Sequence, residues 1–237
     1  MDERERIGMD FVDAVLDRPK GFSAGKRHFF LWPVTLGKML LTRKLTEQLE
    51  INRDILHTSP FAEALRLMKA HRDDCLLLIT YHTLKTKDEV NNSRTVAIRK
   101  GVLSKELDDK DIATLLILCL TWDNTASFMR YTKVDAELER MKEVLRVKKN
   151  KNTLMFGGVS VYGSLIDQAC ERYGWTYDYV VWGISYINLK MMLNDGIKSV
   201  YLSDEEAAKC NIYASGDIID GNDAGMMATV ISEGGWD

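Results

Sequence analysis

Residues 160–196, SVYGSLIDQACERYGWTYDYVVWGISYINLKMMLNDG, decide the fold class, because they read as two helices joined by a tight turn. Val161, Leu165, Ile166 and Ala169 recur at the spacing of one helix face. Gly174 supplies the left-handed residue that commonly ends a helix. Thr176 is placed to cap the next helix, with Asp178 in its first turn, where negative charge meets the dipole favourably. Val180, Val181, Ile184, Ile187, Leu189, Met191, Met192 and Leu193 make that second helix apolar on more than one face. Such a helix is either buried mid-domain or held ready for a partner. Trp175, Tyr177, Tyr179, Trp182 and Tyr186 crowd the turn, and aromatic clusters of this kind are enriched in interface hot spots.

Outward from this hairpin, the same helical period recurs. Thr35 reads as an N-cap for a helix to about Glu50, and Ser59-Pro60 as a helix start. Phe61, Leu65 and Met68 continue that face, and the pattern resumes over Cys75–Leu84 after Asp73-Asp74. The acids of Leu107–Asp111 open a helix whose interior, Ile112–Trp122, is apolar almost all round. Val134, Leu138, Met141 and Leu145 then form a narrow stripe on a charged helix, the pattern of one lying on a surface or pairing with another helix. Asp10–Leu16 reads as a short helix with Phe11, Val12, Val15 and Leu16 on one side. His28–Trp32 reads as an apolar cluster before a helix entry, and residues 85–95 as a surface loop. Val96–Ile98, residues 153–156 and 199–202 are the only short strand candidates.

The expected fold is therefore mainly α: a multi-helix bundle with a C-terminal helical hairpin and at most a minor β-hairpin. Its expected organisation is an N-terminal bundle over 1–150, the aromatic hairpin over 151–202 packed on it, and an acidic, loose tail over 203–237. Composition places the expected hinge at Lys151–Gly158. Ser203 and Glu206 make a capping box at the head of the last segment.

Composition restricts function by exclusion. With 237 residues, 46% hydrophobic and 28% charged, the chain suits a globular protein with a sizeable core. No apolar run reaches the roughly 18–20 residues needed to cross a bilayer, and the charged start lacks the apolar centre of a signal peptide. A cytoplasmic protein with no membrane partner is expected. Cys75, Cys119, Cys170 and Cys210 show no metal or redox spacing and read as packed thiols. His71 and His82, on one helix, would stand roughly 16 Å apart, too far to share a metal. Asp73-Asp74 and Asp108-Asp109 read as helix-capping acids rather than paired catalytic carboxylates. There is no phosphate-binding glycine loop and no nucleophile elbow. No enzyme, cofactor or metal is expected. The basic run Lys142–Lys151 lacks interleaved aromatics for base stacking and reads as a solvated helix end, so nucleic acid is not the expected partner.

The segment Ala169–Asp195 resembles a motif near the C-terminal end of tail assembly chaperones of tailed bacteriophages. There, a helix ends in a Tyr-Gly-Trp-type turn and a second begins with Thr or Ser and carries a leucine-rich face. The matching residues are Tyr173, Gly174, Trp175, Thr176, Leu189 and Leu193. FLWPVTLGKMLLTRKL (30–45) and PFAEALRLM (60–68) look like segments of phage and prophage proteins of gut Bacteroides-type bacteria. The resemblance implies a non-catalytic assembly factor, working in the bacterial host cytoplasm, that binds and solubilises the tape-measure protein or another tail protein. Self-association is a further expectation. The partner-binding residues expected are Trp175, Tyr177, Trp182, Tyr186, Leu189 and Met192 on the hairpin, with Leu138, Met141 and Leu145 on the narrow stripe. Many members of that family are shorter, so the resemblance gives the N-terminal bundle no role. The alternatives are a connector or minor tail protein retained in the virion, and a helical nucleic-acid-binding regulator.

Overall fold

The structure, a computed structural model, describes residues 2–148, 159–198 and 200–210. The expected hinge at 151–158, the strand candidate at 153–156 and the chain beyond 210 lie outside these residues. The described chain is mainly helical, with one two-stranded antiparallel hairpin. It divides into two compact units, Met1–Ala136 with Met155–Gly196, and Glu137–Leu154 with Ile197–Asp237.

Helix α1 (Glu3–Val15) starts at a capping box in which the Asp2 carboxylate accepts from the Glu5 N–H. It is longer than the sequence reading, because this reciprocal cap adds two turns before the apolar residues begin. Strands β1 (Lys20–Ala24) and β2 (Arg27–Leu31) follow, with Phe22 opposite Phe29 and Ala24 opposite Arg27. Gly25 takes φ 59° in the connecting turn, where a two-residue hairpin loop needs left-handed backbone. The cluster at His28–Trp32 is thus mostly strand. Its alternation sends Phe29 and Leu31 to the core and leaves Phe30 outside. The hairpin forms here and not at Val96–Ile98, which is helical.

Helix α2 (Leu36–Gln48) is capped by the Thr35 hydroxyl, as its sequence predicts. After the short α3 (Arg53–Thr58) comes α4 (Pro60–Thr83), which bends at His71 (φ −137°, ψ 43°). The bend explains why its apolar pattern pauses before Cys75, and it puts Asp73 and Asp74 in the first turn of a second helical segment. Residues 85–95, expected as a loop, instead form α5 (Lys87–Asn91) and the start of α6 (Ser93–Glu106). Thr86 and Asn92 each cap a helix there, so their polar side chains satisfy helix ends rather than mark coil. Helix α7 (Asp109–Leu120) is capped by Asp108, and α8 (Thr125–Thr132) and α9 (Val134–Val147) follow.

Helices α4 and α7 carry the main core. Leu67, Leu76, Leu78 and Ile79 of α4 meet Ile112, Leu116 and Cys119 of α7, all essentially without exposure. The wide apolar surface of α7 is thereby explained: it is the hub of this unit. Ala24 and Leu31 add the β-hairpin to the same core. Glu63 is fully buried, and its carboxylate accepts from the Asn52 N–H at 2.7 Å and from the Arg66 guanidinium at 2.7–2.8 Å. The Arg66 bonds hold this carboxyl below its usual range against the cost of burial.

Helix α10 (Val161–Tyr173) ends at Gly174 (φ 65°), as expected. The second helix of the hairpin is not continuous. Residues 177–178 lead into a π-helical turn (Tyr179–Gly183), the chain extends at Ile184 and Ser185, and α11 (Tyr186–Asn194) begins on a fresh cap, Ser185. The last described helix, α12 (Asp204–Lys209), carries the expected capping box of Ser203 and Glu206.

Candidate functional site

The hairpin's aromatic residues fall on two sides. At the break between the π-helical turn and α11, Ser185 and Tyr186 pair with backbone outside the hairpin. Thr35 bridges Ser185, and the Tyr186 N–H donates to the Val34 carbonyl at 2.7 Å. Trp182 then lies over Gly37, where an added Cβ would come within 2.7 Å of the indole. It packs with Leu84, Val90 and Val96, so it serves the core. Tyr186 meets Trp122 edge-on at 6.1 Å and has the Lys190 ammonium 5.0 Å above its ring. Lys190 also reaches Asp123 at 3.0 Å. Burial pushes the Asp123 carboxyl up, but the Thr125 hydroxyl and Lys190 more than reverse this and leave it below its usual range. Leu189 has no exposure and closes a small core with Ala169, Val180 and Ile184. Leu189 therefore lies inside, while Trp182 and Tyr186 are half-buried, each with a face engaged by neighbouring elements.

The other side is an aromatic ladder. Tyr173 stacks on Trp175 at 4.6 Å, and Trp175 meets Tyr179 edge-on at 5.1 Å. The Tyr173 hydroxyl donates to the Met192 carbonyl at 3.0 Å, which fixes the first rung on α11. Trp175 is half-buried, Tyr179 is exposed, Tyr177 is 63% exposed and the Met192 side chain is 37% exposed. Thr176 holds the turn by accepting from the Tyr179 N–H. Of the hairpin residues expected to meet a partner, Tyr177 and Met192 are thus exposed, and Trp175 is half-buried. Tyr179, which the sequence reading left off its binding set, belongs with them.

On α9, Val144 is buried, Leu138 and Met141 are half-buried and Leu145 is exposed. Lys142 pairs with Glu139 at 2.6 Å within the same helix, so this start of the basic run has an internal counter-ion. The expected stripe and the ladder lie mainly in different units.

A second exposed apolar surface was not assigned a role from sequence. On α1, Phe11 packs on Phe128 and Tyr131, whereas Met9, Val12, Val15 and Leu16 are all more than half exposed. The signal was present as four apolar residues around a short helix, more than one inward stripe uses. The Asn188 amide caps this helix by donating to the Ala14 and Val15 carbonyls at 3.0 and 3.3 Å and to Asp17 Oδ1 at 3.0 Å.

The acids considered for chemistry have structural partners. Asp108 caps α7, Asp73 meets Lys100 at 3.2 Å, and Asp109 pairs with Arg72. Among the described residues no group of three metal-ligating side chains comes together. Among the described residues no single helix is long and apolar enough to cross a membrane. All four cysteines are free, and burial pushes the Cys75 thiol up to about 11 and the Cys119 thiol higher still. In comparisons with known proteins, no family model, curated protein or solved structure matches this chain.

Proposed function

We propose that this protein works by non-catalytic association, as a tail-assembly factor whose aromatic ladder covers an apolar helical face of an elongated partner such as a tape-measure protein. The observation that carries the reading is the ladder itself. Tyr173, Trp175 and Tyr179 hold one another in place, and Tyr177 and Met192 stand exposed beside them. Rigid aromatics lose little conformational entropy on binding, and methionine adapts to varied surfaces. An amphipathic helix laid along such a surface buries its apolar residues, which would otherwise aggregate before assembly. The exposed apolar side of α1 supplies further area of the same character.

The test is a tagged pull-down from cells that produce the neighbouring genes, with bound proteins identified by mass. Recovery of a long, helix-rich protein that Tyr177→Ala with Tyr179→Ala releases, together with absence of this chain from finished particles, is the expected result. Retention of the same partner by the double variant would place binding elsewhere. Presence of the chain in particles would move the reading to a connector.

A further inference from the structure

One side of helix α1 meets the rest of the chain: Phe11 packs on Phe128 and Tyr131, and Ile7 and Ala14 beside it are half-buried. On the opposite side Met9, Val12 and Leu16 are 54%, 51% and 56% exposed. Together with the exposed Glu5 they follow one another at four, three and four residues, the seam spacing of a helix that pairs with another helix. Both ends of α1 are fixed, by the Asp2–Glu5 capping box and by the Asn188 amide, so the seam is presented on a formed helix. Preorganisation of this kind lowers the entropy cost of docking.

This face shares the apolar character of the ladder, but the charges beside it select a different occupant. Arg6 and Asp13 lie one heptad apart on the same flank of the seam, and both are exposed. The Arg6 guanidinium has no partner among the described residues. Asp13 holds Arg18 through Oδ1 at 3.0 Å, and its Oδ2 is outside that bond.

A second α1 laid antiparallel brings opposite ends of this pattern together. Met9 then meets the partner's Val12, Glu5 meets the partner's Leu16, and Arg6 faces the partner's Asp13, each contact occurring twice about a two-fold axis. On the other flank the partner's Val15 meets Gly8 and the Tyr131 side chain that lies against it. A parallel arrangement fails on charge. It sets Glu5 against the partner's Glu5 and leaves Arg6 and Asp13 with no opposite charge across the seam.

We propose that the outer face of α1 is a self-association surface, on which a second copy of this chain docks its own α1 antiparallel, Met9 against the partner's Val12 and Arg6 against the partner's Asp13. None of the ladder residues takes part, so this assignment and the tail-assembly reading stand or fall separately. The seam is short, which places the dimer among weak interfaces, below about 1,200 Å².

Sedimentation equilibrium of the full chain from about 1 µM to about 1 mM tests it, with a concentration-dependent dimer expected. Val12→Asp puts a charge in the centre of the seam and should leave a monomer throughout that range. Because Val12 is exposed, the melting temperature of this variant at low concentration should not change. Arg6→Glu and Asp13→Lys should each weaken the dimer about tenfold. The double exchange should restore it to within about threefold, because opposite charges again face each other. A monomer at every concentration, a dimer that Val12→Asp leaves intact, or a charge exchange that gives no recovery would each overturn the assignment.

Discussion

Helix α7 and the segment Tyr179–Leu193 are similarly rich in apolar residues but end in different circumstances. Every large residue of α7 from Ile112 to Leu120 is buried or half-buried, because α4 runs beside it over its length. The aromatic segment breaks at Ile184 and Ser185, and on both sides of the break its residues divide between an inner set, which holds Val180 and Leu189, and an outer set, which holds Tyr179 and Met192. Apolar density along a chain predicts that burial is needed somewhere. It does not say which residues obtain it, since that depends on where neighbouring elements stop.

The sharpest probe of this contrast is truncation in the two cores. Leu116→Ala in α7 and Leu189→Ala in α11 should each cost about 2–5 kcal/mol in chemical denaturation, as both side chains are fully buried. Equal costs would show that the hairpin core is as well packed as the hub. A much smaller cost at Leu189 would mean that this region relaxes, as a surface kept for partners would.

A change of opposite sign is expected at Lys38, which is 2% exposed and whose Nζ has no partner among the described residues. Burial lowers its pKa to about 8 from an ordinary 10.5, although Glu89 and Cys119 oppose this. The unfolded chain therefore holds the proton more tightly. Stability should rise as pH increases from about 8 to 10.5, and the full penalty should persist below 8. Lys38→Met should remove this dependence and stabilise the protein near neutral pH by about 1–3 kcal/mol, read from melting at several pH values. His82 has the same sign at lower pH: its folded pKa near 4 lies below 6.5, so stability should fall as pH drops through that window.

Smaller effects separate the two sides of the hairpin. Gly37→Ala should cost about 1–3 kcal/mol, because the new methyl meets the rigid ring of Trp182. Asn188→Ala should cost roughly 1 kcal/mol and release amide protection at the C-terminal end of α1, measurable by hydrogen exchange. Tyr177→Ala should change stability by less than about 0.5 kcal/mol while reducing partner capture. A large loss of stability there would make Tyr177 part of the fold and would remove the distinction between the inner and outer sets.

Much of this organisation was legible from residue spacing. The caps at Thr35, Asp108 and Ser203, the left-handed end at Gly174 and the hub character of Ile112–Trp122 depend on interactions within a few residues. The position of the minor β-hairpin was not legible, because five-residue strands with adjacent phenylalanines read as a cluster until a partner strand fixes their alternation. The helices within 85–95 were missed for a related reason: Thr86, Asn91, Asn92 and Ser93 look like loop composition, yet Thr86 and Asn92 cap helices.

The sequence by itself determined a mainly helical chain, its principal helix ends and the presence of an aromatic turn, since these follow from period and local hydrogen bonding. Only the tertiary structure decided that Leu189 is internal and Trp182 and Tyr186 half-buried while Tyr177, Tyr179 and Met192 are exposed, and that His82 is buried. The physical reason is that burial is a property of contacts between distant segments. Val34 and Thr35 pairing with Ser185 and Tyr186 is a contact across about 150 residues that local spacing does not encode.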